Sequence, residues 1–339
     1  MDERKKILLI NKSPSLREAY KEALQGEGFE VIDFFDFGVP DLKKTLFDKC
    51  ANIFSRVILK DKTYFEKKAK LSERKKYIKT ANQIAMKARN KFDYALFFRA
   101  DLFPKEVIEK IAALSDKMIT YQYDGMELCQ NLFNFEQAFD RIFVFDKSDL
   151  IKYKHKNFLP LTNCWFADKN SEQITQRFFY VGVGTVERRR KIENFRNYLG
   201  KNSGLKAILT VPDFVEEEKN GDIILSHEGL SYKDNMSFVK SSEVLLDFKL
   251  PYHDGLSFRF FESINYKKKL ITNNYSVQNY DFYHPSNIFI CDFEDFSGLQ
   301  EFLDLPYSVI PQQIVDKYGF SNWIKYVLDM GDYQKIQIA

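Results

Sequence analysis

A glycine-containing turn that leads into an amphipathic helix is the stretch best suited to bind a charged ligand; it begins at His253 and reads HDGLSFRFFESINYKKKLITNN. The pattern predicts a helix that opens at Ser257 and a strand from about Leu270. Free N–H groups at a helix N-terminus favour an anion, Arg259 would add a fork of donors, and Glu262 could accept hydrogen bonds from vicinal hydroxyls. Phosphate beside sugar hydroxyls indicates a nucleotide. The predicted ligand-binding residues are His253, Gly255, Leu256, Ser257, Arg259 and Glu262.

Composition favours a globular protein of two domains. The chain has 339 residues, of which 45% are hydrophobic, so each half can bury a core of its own. The formal net charge of +3 provides no overall basic field, and we expect no nucleic-acid partner. Steep salt-dependent binding to DNA or RNA would argue against that expectation.

The cysteines and the longest apolar runs indicate in which cellular compartment the protein is expected. Cys50, Cys129, Cys164 and Cys291 are widely spaced and include no CxxC pair, which is typical of reduced, buried thiols rather than a zinc site or a disulfide framework. No stretch approaches 18 uninterrupted apolar residues, and the N-terminal apolar run is too short for a signal peptide. We therefore expect a cytoplasmic protein.

Strands and helices alternate along both halves, which predicts an α/β protein with two parallel sheets. The first domain is expected at 1–168, with a helical insertion at about 41–91, where two long helices are predicted. The second is expected at 169–313, and 314–339 reads as terminal helices. Two such domains facing a central cleft would place the carboxyl ends of both sheets where open α/β folds bind ligands.

Two further loops of the second domain could contribute to such a site. The first, YVGVGTVERRRKIENF, places Gly182 and Gly184 in a turn before a helix that carries Arg188. A phosphate could bind there, although the glycines could equally form a tight turn and the arginines a solvated helix face. Asn235 lies near the start of the helix that precedes the strand EVLLD and is a further candidate.

Three stretches of the second half follow one another in an informative order: YVGVGTVERRRKIENF, SSEVLLDFKLPYHDGLSFRFFESINYKKKLITNN and YDFYHPSNIFI. From about 170 to 295 they resemble the donor domain of GT-B glycosyltransferases, whose two Rossmann-like domains face a central cleft. The likeness is greatest to bacterial enzymes of capsule, lipopolysaccharide and other surface-glycan synthesis and to the related spore-maturation-type glycosyltransferases. The resemblance implies that residues 253–257 face the donor phosphates, that Arg259 supports them and that Glu262 binds the ribose.

The sequence departs from the resemblance at one position. Retaining GT-B enzymes often carry a second glutamate seven residues before the ribose-binding one, and here that position is Gly255. The resemblance therefore leaves open whether transfer inverts or retains the anomeric configuration.

The first domain resembles the acceptor half of the same fold more loosely. Tyr123, Asp124 and Asp146 match an aromatic-Asp pair at one strand end and an Asp after the next. An inverting transfer needs a group that takes the acceptor's proton, for which Asp124 is the first candidate and a turn or N-cap aspartate the alternative. Asp101 and Asp146, which also follow strands, are the next candidates for that proton acceptor. Asn11, Ser13 and Arg99 also lie at strand ends and, like Asp101, could line the acceptor side or cap helices.

A basic segment lies between Glu66 and Lys91, with ten Lys or Arg against two Glu. Helical spacing of Leu71, Ile78 and Ile84 predicts an amphipathic helix that could rest on an anionic membrane surface, or a solvated helix of a lysine-rich protein.

The function that we predict is transfer of a sugar from a nucleotide-sugar donor to a hydroxyl of a cell-surface glycan or lipid-linked oligosaccharide. No metal or other cofactor is expected, because no Asp-x-Asp motif ends a strand in the manner of metal-dependent sugar transferases. The alternative is a non-catalytic nucleotide-sugar or glycan-binding protein of the same fold. In either case the protein is expected in the cytoplasm, either free or peripheral on the inner face of the cytoplasmic membrane.

Overall fold

The computed structural model describes residues 4–38, 64–88, 90–168, 172–200, 203–213 and 215–338. The helix predicted at about 41–58 lies outside these residues. The second predicted helix of the insertion is present as Tyr64–Lys87.

A six-stranded sheet is built from the first half of the chain. Its strands are β1 (Lys6–Asn11), β2 (Glu30–Asp33), β3 (Phe92–Phe98), β4 (Ser115–Gln122), β5 (Arg141–Val144) and β6 (Phe158–Pro160). Their spatial order is β2-β1-β3-β4-β5-β6, and β1 pairs in parallel with β2 and β3, as β3 does with β4. The helices between them are α1 (Pro14–Gly26), α2 (Tyr64–Lys87), α3 (Lys105–Ala112) and α4 (Lys147–Lys152). Short 3-10 turns occur at Phe34–Phe37, Ala100–Leu102, Gln130–Asn134 and Glu136–Ala138.

A seven-stranded sheet is built from the second half. Its strands are β7 (Gln176–Val183), β8 (Leu205–Thr210), β9 (Glu218–Asn220), β10 (Ile223–Ser226), β11 (Ser242–Asp247), β12 (Lys269–Thr272) and β13 (Ile288–Ile290). Their order is β13-β12-β11-β7-β8-β10-β9, with every pair parallel except β9 and β10. The helices are α5 (Val186–Leu199), α6 (Tyr232–Lys240), α7 (Phe258–Tyr266), α8 (Leu299–Asp304), α9 (Gln312–Lys317) and α10 (Phe320–Leu328), with a 3-10 turn at Tyr275–Asn279.

The apolar runs of the sequence account for both sheets. Parallel strands covered by helices on two faces read as continuous hydrophobic segments rather than as alternating ones. KILLIN forms β1 in this way, with Ile7 to Ile10 fully buried, and the predicted parallel α/β class is confirmed.

The chain divides into two compact units that do not coincide with a single cut in the sequence. The first consists of Met1–Lys12, Gly28–Tyr121 and Cys129–Ile142, and the second of Ser13–Glu27, Gln122–Leu128 and Phe143–Ala339. The domain limits predicted at 168 and 313 stay predictions.

In the first unit, α2 packs its apolar side on a cluster of aromatic rings. Tyr77 and Ile84 are buried, and the Tyr77 ring lies 4.9 Å from that of Phe103. Leu71, by contrast, is 54% exposed. Of the apolar residues named from the sequence, Ile84 is therefore buried, Ile78 is half-buried and Leu71 is exposed.

In the second unit, α10 packs against α1 and the segment that follows β6. The Trp323 side chain is fully buried on α10 and donates from Nε1 to the Thr162 carbonyl at 2.8 Å. Its ring lies 5.6 Å from that of Tyr20 on α1.

Candidate functional site

The loops after β7, β11 and β12 lie side by side, because these strands are neighbours in the order β12-β11-β7. All three loops belong to the second compact unit. In an open parallel sheet, the loops beyond the carboxyl ends of the strands are the usual place for a ligand.

The loop between β11 and α7 is fixed by hydrogen bonds to its backbone. Asn273 Oδ1 accepts from the Lys249 N–H at 2.7 Å, and Asp146 Oδ2 accepts from the Asp254 N–H at 2.7 Å. The Leu256 carbonyl accepts from Asn163 Nδ2 at 2.9 Å. The loop lacks regular secondary structure, yet its path is set before any ligand arrives.

A second set of bonds ties the same loop to the one after β12. The Asp254 carbonyl accepts from Asn274 Nδ2 at 3.1 Å and from Ser276 Oγ at 2.9 Å. Asn274 also caps the following 3-10 turn through Oδ1. The asparagines in the quoted stretch ITNN are thus anchors, a role that the sequence did not reveal.

Glycine is required at position 255 because a side chain would clash with a neighbouring ring, and not because of the backbone conformation. A β-carbon built there would overlap the Phe145 ring at Cε2. Leu256 beside it is buried and packs as an apolar residue. At Gly255 and Leu256 the backbone therefore passes close to the Phe145 ring, just before α7 begins.

The N-terminus of α7 is left without a side-chain cap. Ser257 occupies the N-cap position in an extended conformation, but its Oγ donates to Asp247 Oδ1 at 2.6 Å. Backbone N–H groups in the first turn of a helix have no partners within the helix, so they point into the space beyond it. This geometry suits an anion.

Arg259, predicted to support a phosphate, is engaged within the protein. Its guanidinium pairs with Asp247 at 3.3 Å, donates to the Val181 carbonyl and lies 4.8 Å over the Tyr180 ring. Asp247 also accepts from Thr272 Oγ1 at 3.1 Å. The charge of Arg259 is therefore compensated, and its observed contacts join the carboxyl ends of β7 and β11.

Arg188 is better placed to meet an anion. Its Nη2 donates to the Phe248 carbonyl at 2.9 Å and its Nη1 to the Val183 carbonyl at 3.4 Å, so it spans the ends of β11 and β7. Both acceptors are neutral. By contrast, Arg190 on the same helix forms an ion pair with Glu294 at 2.9 Å.

The two glycines of the β7 loop allow close packing. A β-carbon at Gly182 would lie 2.5 Å from the Tyr180 hydroxyl, and one at Gly184 would lie 3.1 Å from Leu209 Cβ. Thr185 caps α5 by accepting from the Arg188 N–H at 3.3 Å. A tight, capped turn therefore precedes the helix that carries Arg188, and phosphate binding at this turn stays a prediction.

Glu262 is buried rather than solvated. Its side chain is 1% exposed, and neither carboxylate oxygen has a hydrogen-bond partner within the described chain. Burial raises the pKa of Glu262 to about 7, against a smaller opposing effect of Arg259. The Tyr232 hydroxyl is also buried without a partner in the described residues, and its pKa is raised, first by burial and then by Glu262. Buried carboxylates without a hydrogen-bond partner are rare, so a ligand or an ordered water is the expected partner of Glu262.

His253 stands at the start of the anchored turn. Its ring lies 4.7 Å from that of Phe145, and its β-carbon lies 3.5 Å from the position that a β-carbon on Gly125 would occupy. Nδ1 is buried without a hydrogen-bond partner in the described structure. Burial lowers the pKa of His253, while the carboxylates of Asp124, Asp146 and Asp247 act in the opposite direction.

The three predicted proton acceptors differ in how far they are engaged. Asp146 caps α4 by accepting from the Ser148 N–H and also holds the Asp254 N–H, so it is structural. Asp101 is buried in a two-point ion pair with Arg99, both contacts at 2.8 Å. Asp124 is half-buried in a bend after β4 and precedes no helix that it could cap.

The remaining predicted residues are less informative. Asn11 is buried at the end of β1, and Ser13 stands before α1 without capping it through its side chain. Tyr123 is half-buried after β4, and Asn235 lies in the first turn of α6 with a buried Oδ1 that has no hydrogen-bond partner in the described chain. Their roles stay predictions.

The described residues offer neither a metal-binding cluster nor a membrane span. Within them, no group of three or more His, Cys, Asp or Glu side chains could hold a metal ion. None of the described helices combines the length and apolar character needed to cross a bilayer. Cys129, Cys164 and Cys291 are buried and form no disulfide within the described residues, as expected.

Known structures share this fold at low sequence identity. An alpha-glucosyltransferase in complex with UDP-glucose and DNA matches with a TM-score of 0.54 and 10% identity, over 97% of this chain and 96% of that one. The alpha,alpha-trehalose-phosphate synthase (UDP-forming) of Burkholderia vietnamiensis matches with a TM-score of 0.53 and 11% identity, over 96% and 99%. A UDP-N-acetylglucosamine 2-epimerase matches with a TM-score of 0.52 and 10% identity, over 98% and 100%. No family model and no curated protein matches the sequence. The two sheets and these likenesses identify the fold as GT-B.

Proposed function

We propose that the protein is a glycosyltransferase that moves a sugar from a nucleotide-sugar donor to a hydroxyl of a cell-surface glycan or lipid-linked oligosaccharide. The observation that carries the proposal is the uncapped N-terminus of α7, held by an anchored loop beside Arg188. A donor diphosphate there would meet backbone N–H groups, the positive end of the helix dipole and a guanidinium.

The nucleoside would lie toward Glu262. Its two carboxylate oxygens lack partners in the described chain, and vicinal ribose hydroxyls are donors that would supply them. Each hydrogen bond to an ionised carboxylate contributes roughly 1.5 to 3 kcal/mol. The resemblance of this segment to GT-B donor domains gives the same assignment.

Charge on the leaving diphosphate would be stabilised without a metal ion. Arg188 donates only to neutral carbonyls in the described structure, so its charge is available to the ligand. Positioned donors of this kind are often the largest contribution to transition-state stabilisation.

The acceptor and the location are proposed from the sequence. The resemblance to bacterial enzymes of surface-glycan synthesis favours a glycan or lipid-linked glycan, and the exposed lysines of α2 would allow contact with the inner face of the cytoplasmic membrane. One structural neighbour is in complex with DNA, whereas a net charge of +3 gives this chain no strong basic field to attract a nucleic acid.

The test has two parts. A panel of UDP-glucose, UDP-galactose, UDP-N-acetylglucosamine, GDP-mannose and CMP-sialic acid is screened by thermal shift, where a ligand at 100 times its Kd stabilises by about 2.7 kcal/mol. The nucleotide sugar with the largest shift is then incubated with the protein, and both released nucleotide and sugar identity are followed.

The outcomes separate three activities that this fold could support. Released nucleotide indicates transfer to an acceptor or to water. An altered sugar without net release indicates epimerisation, which would contradict the proposal. Binding with neither product would favour the non-catalytic alternative, and no thermal shift with any panel member would count against a nucleotide-sugar site.

A further inference from the structure

Two of the three carboxylates predicted as proton acceptor of the proposed transfer are already bound to other groups of the protein. Asp101 is neutralised by Arg99, and Asp146 is occupied by two backbone N–H groups. The third, Asp124, acts electrostatically on the imidazole of His253, which the sequence placed on the donor side.

The ring of His253 is held rather than loose. Phe145 packs against one side, Gly125 approaches its β-carbon, and the anchored Asp254 follows directly in the chain. Nδ1 is buried in this packing, which leaves Nε2 as the nitrogen that can meet a substrate. A fixed ring with one accessible nitrogen has the geometry that a general base requires.

Charged groups surround this ring on several elements. Asp124 lies after β4, Asp146 after β5, Asp247 at the end of β11, and Lys249 on the same loop as His253. Burial lowers the pKa of His253 and Lys249 acts in the same direction, whereas the three carboxylates raise it. The net effect is a lowered pKa, so the imidazole is neutral at pH 7 and able to accept a proton.

We propose that Nε2 of His253 accepts the proton of the attacking hydroxyl, and that Asp124 acts through His253 by stabilising the imidazolium. This inference rests on the proposed glycosyl transfer. The bond from the acceptor oxygen to the anomeric carbon forms, and the bond from that carbon to the diphosphate oxygen breaks. Its electron pair leaves with the nucleoside diphosphate, while the hydroxyl proton passes to His253. Asp124 is then a positioning residue and not the base.

The experiment uses the full chain and the nucleotide sugar selected by the thermal-shift panel, with water as the acceptor and nucleotide release as the readout. His253→Ala should lower kcat by roughly 100-fold to 10,000-fold with unchanged donor Kd by calorimetry. Added imidazole should restore part of the activity. His155→Ala, which removes an exposed histidine after α4, serves as the matched control and should behave as wild type.

The pH profile separates the roles of the two residues. In the wild type, kcat should decrease as the pH falls through the pKa of His253, because only the neutral ring accepts a proton. This pKa lies below the ordinary histidine value of about 6.5. Asp124→Asn removes a carboxylate that raises the pKa of His253, so the acid limb should move to lower pH.

Several results would overturn the inference while leaving the proposed function intact. One such result is a wild-type kcat in His253→Ala. Another is a loss of donor affinity in the same variant, because that would mean that the ring binds the donor. A third is an acid limb that vanishes in Asp124→Asn, as expected if Asp124 itself were the base. A wild-type protein that binds none of the panel, or binds without cleavage, would refute the proposed function and this inference together.

Discussion

Replacing Glu262 with glutamine should stabilise the protein increasingly as the pH rises. The side chain is 1% exposed, both of its oxygens lack partners in the described chain, and burial raises its pKa from the ordinary 4.5 to about 7. The folded state therefore favours the neutral carboxyl. Stability that is fully present below about pH 4.5 is lost as the pH rises through about 7.

The magnitude follows from the pKa difference. One pKa unit corresponds to about 1.4 kcal/mol, so a rise from 4.5 to about 7 makes ionised Glu262 cost about 3 kcal/mol of folding free energy above neutral pH. Glutamine has nearly the same shape and cannot ionise. The difference between Glu262→Gln and wild type should thus grow by roughly 2 to 3 kcal/mol between pH 5 and pH 8.

Urea denaturation of both proteins at pH 5 and pH 8 measures this difference, and other titrating groups cancel because they are common to both. The matched control is Glu187→Gln, since Glu187 is an exposed helix glutamate paired with Lys191 at 2.9 Å and has a lowered pKa. That variant should gain no stability at pH 8. A Glu262→Gln difference that is equal at the two pH values would refute the reasoning, because it would mean that the carboxylate is solvated.

Three further results are expected. Arg188→Ala should weaken binding of the selected nucleotide sugar by at least about tenfold in calorimetry, since a hydrogen bond to a charged group contributes roughly 1.5 to 3 kcal/mol, while Arg190→Ala should bind normally; equal affinities would remove Arg188 from the site. Nucleotide release should persist in excess EDTA, and its complete loss with recovery on adding Mg²⁺ would show a metal requirement. Vesicles of phosphatidylglycerol should sediment the protein at low salt but not at high salt, and charge reversal at Lys75, Lys76 and Lys79 should abolish this; binding that ignores salt would contradict an electrostatic contact.

Much of the fold could be predicted because buried parallel strands leave continuous apolar runs in the sequence. The apolar run KILLI lies within β1 (Lys6–Asn11), and the helix expected to open at Ser257 begins at Phe258. The signal there was local, since an N-cap serine and the apolar spacing after it both depend on neighbours within a few residues. The short antiparallel β9 was not predicted, because three polar residues carry no strand signal.

The partner of Arg259 could not be predicted in the same way. Asp247 and Arg259 meet because β11 and α7 are joined by a loop that folds back, and loop paths are not encoded in periodicity. One signal was present in the sequence: an aspartate that directly ends the apolar run VLL should face the carboxyl edge of its sheet. The sequence predicts that Arg259 supports a phosphate; in the structure Arg259 pairs with Asp247, and its contact with a ligand stays a prediction.

The burial of Glu262 was also open to prediction. Phe258 lies one helical turn before it, so the two share a face of α7, and the neighbouring Phe261 is buried. The predicted ribose contact of Glu262 stays a prediction, but it did not include this burial, in which the carboxylate is enclosed and has no hydrogen-bond partner in the described chain.

The contact between Gly255 and Phe145 limits how this chain can change its chemistry over generations. Any side chain at position 255 would collide with the aromatic ring, starting with its β-carbon, which would overlap Cε2. A glutamate at that position, such as retaining relatives of this fold often carry, could therefore be acquired only after Phe145 had been exchanged for a smaller residue. Because that first exchange would remove the ring against which His253 packs, it would also disturb the imidazole that is proposed as the base. The two substitutions therefore form an ordered pair, with the exchange of Phe145 first.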